Sequence, residues 1–213
     1  EEKMKKLFLT ISFMILSSVS LELLILSRNL DSFSKIAASG DLIFQTQLGS
    51  SQSLAIQVAT LSIYNHVGVV SVENNKIFVY EAAGAVTKTR LESFVNRSGT
   101  GGRFVVYRHK DLEKENIDNV IRYSNRSLGK KYDSVLSWSN SRMYCSELAY
   151  KAYEYAGFEL ETPEKMRDMK FALFISRYIP HSYRRQKFNL EDEVVAPSHL
   201  SRDNNFEKVF QNW

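Results

Sequence analysis

"HVGVVSVENNKIFVYEA", His66 to Ala82, consists of two runs of β-branched and aromatic residues divided by Glu73, Asn74 and Asn75. Side chains of this kind fit a pleated, half-buried surface, and asparagine tolerates the positive φ that a tight turn demands. The segment therefore predicts a β-hairpin turning at Asn74 and Asn75. Two of its residues do not suit strands made only to fill a core. His66 opens the first run with a polar ring ahead of Val67, Gly68, Val69 and Val70, and Glu81 ends the second after Ile77, Phe78, Val79 and Tyr80. Counted from the turn, 74 minus 66 and 81 minus 75 differ by only two, so a histidine and a carboxylate fall near one end of the same sheet. Whether they share a face depends on the pleat phase.

The pattern extends in both directions from the hairpin. Upstream, "DLIFQ", Asp41 to Gln45, reads as a short strand, and "SSQSLAIQVATL", Ser51 to Leu61, as a helix with a serine cap and apolar residues at helical spacing. Downstream, "AVTKTRL" after Gly84 and "RFVVYRH", Arg103 to His109, read as two further strands, the second preceded by a glycine-rich loop, "SGTGG". From Asp111 to Leu128, the residues Leu112, Ile117, Val120, Ile121, Tyr123 and Leu128 suggest an amphipathic surface helix. "EDEVV", Glu191 to Val195, reads as a short strand. Strands in one block and helices in another indicate the α+β class.

Composition narrows the function. The chain has 213 residues, of which 44% are hydrophobic and 12% aromatic, enough for a sizeable core in one domain. The formal charge of +4 is small for this length and no Lys/Arg run exceeds two residues, so there is no footprint for nucleic acid. No His/Cys spacing supplies a metal site, "SGTGG" lacks the context of a phosphate cradle, and no cofactor is expected. Residues 1–39 differ from the rest. Lys3, Lys5 and Lys6 precede an apolar run from Leu7 to Leu26, with small residues at Ser18 and Ser20. That pattern fits an export signal or, since about 20 apolar residues span a bilayer, a membrane anchor through residues 7–26. It also fits a buried helix. On the first two readings the protein is exported to the periplasm or cell envelope. The domain proper, residues 40–213, starts near Gly40.

A single cysteine excludes an intramolecular disulfide. It lies in "RMYCSELAYKAYEYAG", Arg142 to Gly157, where Cys145, Leu148, Ala149, Ala152, Tyr153 and Ala156 recur at spacings of three and four and Gly157 suits a helix C-terminus. Cys145 therefore faces inward from the first turn of a helix. An inert core cysteine meets that description. So does a nucleophile, because the free N–H groups and the dipole of a helix N-terminus favour a thiolate. A nucleophilic thiol needs a base, which His66 supplies in neutral form, and a group to orient the imidazole, which Glu81 supplies. Of the other histidines, His109, His181 and His199, only His109 ends a strand and offers an alternative base.

Five segments, "SGDLIFQ", "SSQSLAIQVATLSIYNHVGVV", "VYEAAGAVTKTRLESFV", "LGKKYDSVLSW" and "MYCSELAYKAYEYAG", together and in this order resemble the permuted papain-like amidases of the YiiX/YaeF type. These are relatives of the NlpC cell-wall peptidases and of lecithin:retinol acyltransferase. The resemblance runs from about Gly40 to Gly157, with a weaker echo at "VVAPSHL". It implies a circularly permuted papain-like fold, in which a small antiparallel, barrel-like sheet packs against helices and the nucleophile begins a helix. It implies Cys145 as nucleophile, His66 as base and Glu81 as orienting residue. Gln52 and Tyr64 match positions that line such sites or serve the oxyanion, and Tyr144 fits the pattern directly before the nucleophile. Gly40, Asp41, Tyr132 and Asp133 match structural positions. The implied activity is hydrolysis of an amide, such as a cell-wall peptide, through an acyl-thioester. Acyl transfer or lipase action on an acyl-lipid substrate, and a non-catalytic scaffold that keeps the fold, are the alternatives.

Overall fold

In the computed structural model, residues 2–47, 57, 62–98, 101–169 and 189–213 are described. Apart from Gln57, which is helical, the helix expected at Ser51–Leu61 lies outside them, as do the apolar segment 171–179 and the basic segment 182–187. The chain divides into two units, residues 1–36 and 37–213. The first is helix α1, Glu2–Ser34. Its exposed charges pair along one turn, Lys6 with Glu2 at 2.8 Å and Lys35 with Asp31 at 2.7 Å. Among the described residues no helix is long and apolar enough to cross a membrane. The side chains of residues 13–16, inside the apolar run, are not among those described.

In the second unit the anticipated strands form: β1 (Leu42–Gln45), β2 (His66–Glu73), β3 (Lys76–Ala83), β4 (Ala85–Arg90) and β5 (Phe104–His109). Asn74 and Asn75 turn the hairpin with φ of 49° and 60°. Several elements were not evident in the sequence pattern. "LESFVN" leaves the strand course and forms a short helix, α2 (Leu91–Asn96). Two-residue strands β6 (Lys131–Tyr132) and β7 (Arg142–Met143) extend the sheet beyond β4, and β10 (Phe206–Gln211) from the C-terminal tail pairs with β5. The sheet order is β10-β5-β1-β2-β3-β4-β6-β7, antiparallel except for the β6–β7 rung. A separate pair joins β8 (Glu164–Lys165) to β9 (Glu193–Val194).

Helix α3 (Lys114–Arg126) and helix α4 (Cys145–Tyr155) pack against each other, and α4 lies on β2 and β3. Leu42, Phe44, Val67, Val69, Tyr80 and Ala82 present one face of the sheet to Leu148, Ala149 and Ala152. Burying an aliphatic side chain of this size contributes about 1.5–3 kcal/mol, so this seam fixes where α4 sits. Helix α4 ends as its glycine predicts. Gly157 takes φ 90°, its N–H bonds the Glu154 carbonyl at 3.0 Å, and the Phe158 N–H reaches back to Tyr153 at 3.1 Å, with the two rings 5.4 Å apart. The apolar spacing marked only one face of α4 for burial, yet every residue from Cys145 to Tyr153 is buried, Glu147 and Lys151 included. The segment before β7 covers the other side. Lys151 donates to the Ser139 carbonyl and to Asn140, stands 4.6 Å from the Trp138 ring centroid, and pairs with Glu147 at 2.6 Å.

On the opposite face of the sheet, Gly68 allows close approach. A Cβ there would lie 2.3 Å from Val79 Cγ1 and 2.9 Å from the Tyr80 carbonyl oxygen, with Phe94 of α2 at 3.5 Å. The missing side chain lets α2 rest directly over β2 and β3.

Candidate active site

His66 is the first residue of β2, and the β2–β3 ladder registers only from Val69↔Tyr80 toward the turn. Beyond that rung the two strands no longer pair, and backbone and side-chain groups at the sheet end are free to meet other elements. Helix α4 arrives here with Cys145 as its first residue. The backbone N–H groups of Val67 and Ser146 both donate to the sulfur, and the thiol is hydrogen-bonded with His66. Two N–H donors and a helix N-terminus converging on one sulfur favour its anion.

The other nitrogen of the ring is committed to Glu81. His66 Nε2 lies 2.7 Å from Glu81 Oε2, which leaves Nδ1 as the nitrogen for the thiol. Glu81 is fully buried. Its second oxygen, Oε1, accepts from the Arg97 guanidinium, and the Thr89 hydroxyl donates to the same carboxylate. Phe94 stacks on the His66 ring, with centroids 5.6 Å apart and planes 26° from parallel. Cys145, His66, Glu81 and Arg97 therefore form one continuous chain of polar contacts.

Their charge states follow from these contacts. Burial pushes the Cys145 thiol up, but the bond to His66 and the two backbone N–H groups bring it below the ordinary thiol value. Burial pulls His66 down, and the thiol and Glu81 more than reverse this, raising it to about 9. Burial pushes Glu81 up, while His66 and then Arg97 hold it below the usual carboxylate range. With the thiol acid strengthened and the imidazole base strengthened, both shifts favour transfer of the thiol proton to His66, toward a thiolate–imidazolium pair.

Tyr64 precedes His66 by two residues. It is partly buried, 5.8 Å from the Phe44 ring and 6.4 Å from Trp213, and burial pushes its hydroxyl up to about 12. Tyr144 is buried, and its hydroxyl accepts the Val195 N–H at 3.1 Å while its own N–H donates to Glu147 at 3.3 Å. These bonds make Tyr144 a fixed cap of α4. Gln52 lies outside the described residues. His109 is not brought to Cys145: it packs between Phe158, at 4.0 Å, and Phe206, at 5.2 Å, and Nδ1 accepts the Asp111 N–H. Asp41 is structural, gripped by Arg108 at 2.7 and 2.8 Å.

Two neighbours of the site carried no sequence signal. Arg97 follows α2 in a polar stretch that reads as an ordinary loop, and only the folding of α2 onto the hairpin brings it to Glu81. Gln45 is the register partner of His66 across β1–β2, is 1% exposed, and has both side-chain polar atoms buried without a protein partner among the described residues.

A cysteine that begins a helix, bonded to a histidine on an upstream strand, fits the papain arrangement in permuted chain order. A family model described as permuted papain-like amidase enzyme, YaeF/YiiX, C92 family, matches residues 37–210. The chain belongs to this family. At family level it is a cysteine-type amide hydrolase with the permuted papain-like fold. Among YaeF/YiiX-type proteins, the uncharacterized protein YiiX of Escherichia coli (strain K12) is 34% identical over 178 residues, covering 82% of this chain and 87% of that protein. A crystal structure titled metalloprotein yiiX, from Escherichia coli O157:H7, is similar with a TM-score of 0.76 at 33% identity, covering 82% of this chain and 97% of that one.

Proposed function

We propose that the protein cleaves an amide through an acyl-thioester on Cys145, with His66 as the proton carrier and Glu81 as the group that orients it. The observation that carries this reading is the buried contact chain from the Cys145 thiol through His66 to Glu81. The thiolate adds to the amide carbonyl, and the Cys145 backbone N–H at the head of α4 donates to the oxyanion. The imidazolium then gives its proton to the leaving nitrogen, the C–N bond breaks, and the acyl group stays on sulfur. In the second half His66, now neutral, takes a proton from water as the water adds to the thioester carbonyl; the C–S bond then breaks, the carboxylic acid departs, and Cys145 is left as thiolate beside the protonated His66. Throughout, Glu81 holds Nε2–H and keeps Nδ1 aimed at the reacting atoms.

The substrate class that best fits is a cell-wall peptide amide, in keeping with an export signal or envelope anchor at residues 7–26. The Escherichia coli relative is titled a metalloprotein. In this chain the donors at the site are already engaged, Glu81 by His66 and Arg97 and His66 by Glu81 and the thiol, and among the described residues no three His, Cys, Asp or Glu side chains gather to hold an ion. The steps given above are carried by Cys145, His66 and Glu81 of this chain.

The test is incubation of the protein and its Cys145→Ser variant with peptidoglycan fragments and, separately, with acyl-lipid substrates, with products followed by mass spectrometry. New amine and carboxylate ends from the peptide, absent with the variant, are expected. Turnover of acyl lipid alone would replace the peptide reading with lipase or acyl-transfer chemistry, and no Cys145-dependent product from either would leave a scaffold.

A further inference from the structure

The hydrolase reading assigns Cys145, His66 and Glu81 but leaves the far side of the carboxylate unexplained. That side is built from one short stretch. Phe94 and Arg97 stand three residues apart at the end of α2, so they project in the same direction. Phe94 stacks on the imidazole, Arg97 binds Glu81 Oε1, and the Arg97 guanidinium lies 6.0 Å from the Phe94 ring centroid. Ring and carboxylate are therefore both held from behind by a single element.

We propose that Arg97 is a positioning residue of the active site, whose charge keeps Glu81 ionised and whose fork turns the carboxylate so that Oε2 alone faces His66. The proposal rests on the hydrolase reading of Cys145 and His66. A fully buried carboxylate whose one charged partner is the imidazole is exposed to a desolvation penalty that favours its neutral form. Were Glu81 protonated, it would no longer stabilise the imidazolium, and the thiolate would lose its counter-charge. Arg97 supplies the second charged partner. It also balances the site: thiolate, imidazolium, carboxylate and guanidinium sum to zero, whereas without Arg97 the buried group carries net negative charge.

The charged and polar groups that bear on Glu81 are few. His66 faces it from β2, Thr89 from β4 and Arg97 from the end of α2, with Cys145 of α4 beyond the imidazole. Lys88 on β4 is turned to Glu73, at 2.6 Å. Removing a cation raises the pKa of every group beside it, so loss of Arg97 must move ionisation of Glu81 and of the thiol in the same direction, upward.

The sole cysteine makes alkylation a clean readout that needs no substrate. The full chain, His66→Ala, Arg97→Gln and Arg97→Lys are treated with iodoacetamide from acid to alkaline pH and followed by intact mass. In the unsubstituted protein the labelling midpoint is expected below the ~8.5 of a free thiol, and His66→Ala is expected to abolish that. Arg97→Gln should shift the midpoint up by about one pH unit, with roughly tenfold slower labelling on the acid limb, the low end for an acid losing an arginine partner because the Arg97 side chain is 43% exposed. Arg97→Lys, which keeps the charge, should retain the midpoint. An unshifted midpoint in folded Arg97→Gln, or an equal shift in both variants, overturns the role of Arg97 alone. Labelling of the unsubstituted protein only in the alkaline range, unchanged by His66→Ala, overturns the hydrolase reading and this inference with it.

Discussion

His66 and Glu81 are joined by a 2.7 Å contact between Nε2 and Oε2 although they are not register partners across the hairpin. The ladder pairs Val69 with Tyr80, and continued by three rungs it would set Ala83 opposite His66. Positions 81 and 83 share a face, so the carboxylate meets the ring diagonally, and it does so where the strands have stopped pairing. This diagonal gives the imidazole a fixed partner while its Nδ1 stays directed at Cys145.

The first consequence concerns pH. The thiolate–imidazolium pair exists above the lowered Cys145 value and below the His66 value of about 9. Amide hydrolysis is expected to rise through an acid limb below the usual thiol range and to fall again as pH passes about 9, where His66 loses the proton it gives to the leaving group. A rate profile measured on the best peptide substrate checks this, and a profile that rises steadily into the alkaline range would contradict the charge assignment.

Glu81→Gln removes the charge that sustains the imidazolium and keeps the shape. His66 then loses its anionic partner while its burial remains, so its pKa is expected to fall by about one unit or more. The rate constant should drop on the order of 10²-fold. Titration of the His66 ring protons by NMR reads the first effect directly, and an unmoved titration would show that Glu81 does not govern the ring.

Gly68→Ala should destabilise the hairpin. The new methyl would stand 2.3 Å from Val79 Cγ1 and 2.9 Å from the Tyr80 carbonyl, and the carbonyl belongs to a paired strand that cannot move alone. A loss of about 1–3 kcal/mol is expected from such overpacking, measured by urea denaturation, with α2 and the Phe94 contact displaced from His66.

Glu147 makes stability depend on pH in the opposite sense to Glu81. Burial pushes its carboxyl up from 4.5 to about 7, against the pull of Lys151. A carboxyl raised on folding favours the native state below its unfolded value, and that contribution is lost as pH rises from about 4.5 through about 7. Glu147→Gln should flatten this part of the stability curve relative to the unsubstituted protein. Parallel denaturation series across that window decide it.

Gln45→Met keeps the length of a fully buried side chain and removes two polar atoms that meet no protein partner among the described residues. A buried unsatisfied amide costs about 1–3 kcal/mol, so the variant is expected to unfold at higher denaturant concentration. A loss of stability would mean that the amide is satisfied in solution.

Local chemistry explains why much of this protein could be read from its sequence. The hairpin was legible because Asn74 and Asn75 permit the turn and the flanking residues suit only a pleated sheet. The head of α4 was legible because apolar spacing and Gly157 bracket the helix, and the order of His66, Glu81 and Cys145 follows from the chain itself. By contrast, Glu147 and Lys151 look like the solvated side of α4, and their burial depends on the segment before β7 folding over them. Phe206–Gln211 carries too little alternation to declare a strand, and becomes one because the edge of β5 is open to it.

The sequence by itself determined the elements, the single thiol and its place at a helix N-terminus, because turn chemistry, capping and hydrophobic period act within a few residues of each other. Only the tertiary structure decided that Glu81 answers to His66, Arg97 and Thr89, that Phe94 and Arg97 stand behind the imidazole, and that Gln45 lies beside it with no partner among the described residues. Those contacts join segments that local sequence rules do not connect, and they arise from where α2 and α4 come to rest on the sheet, which the packing of the whole core sets.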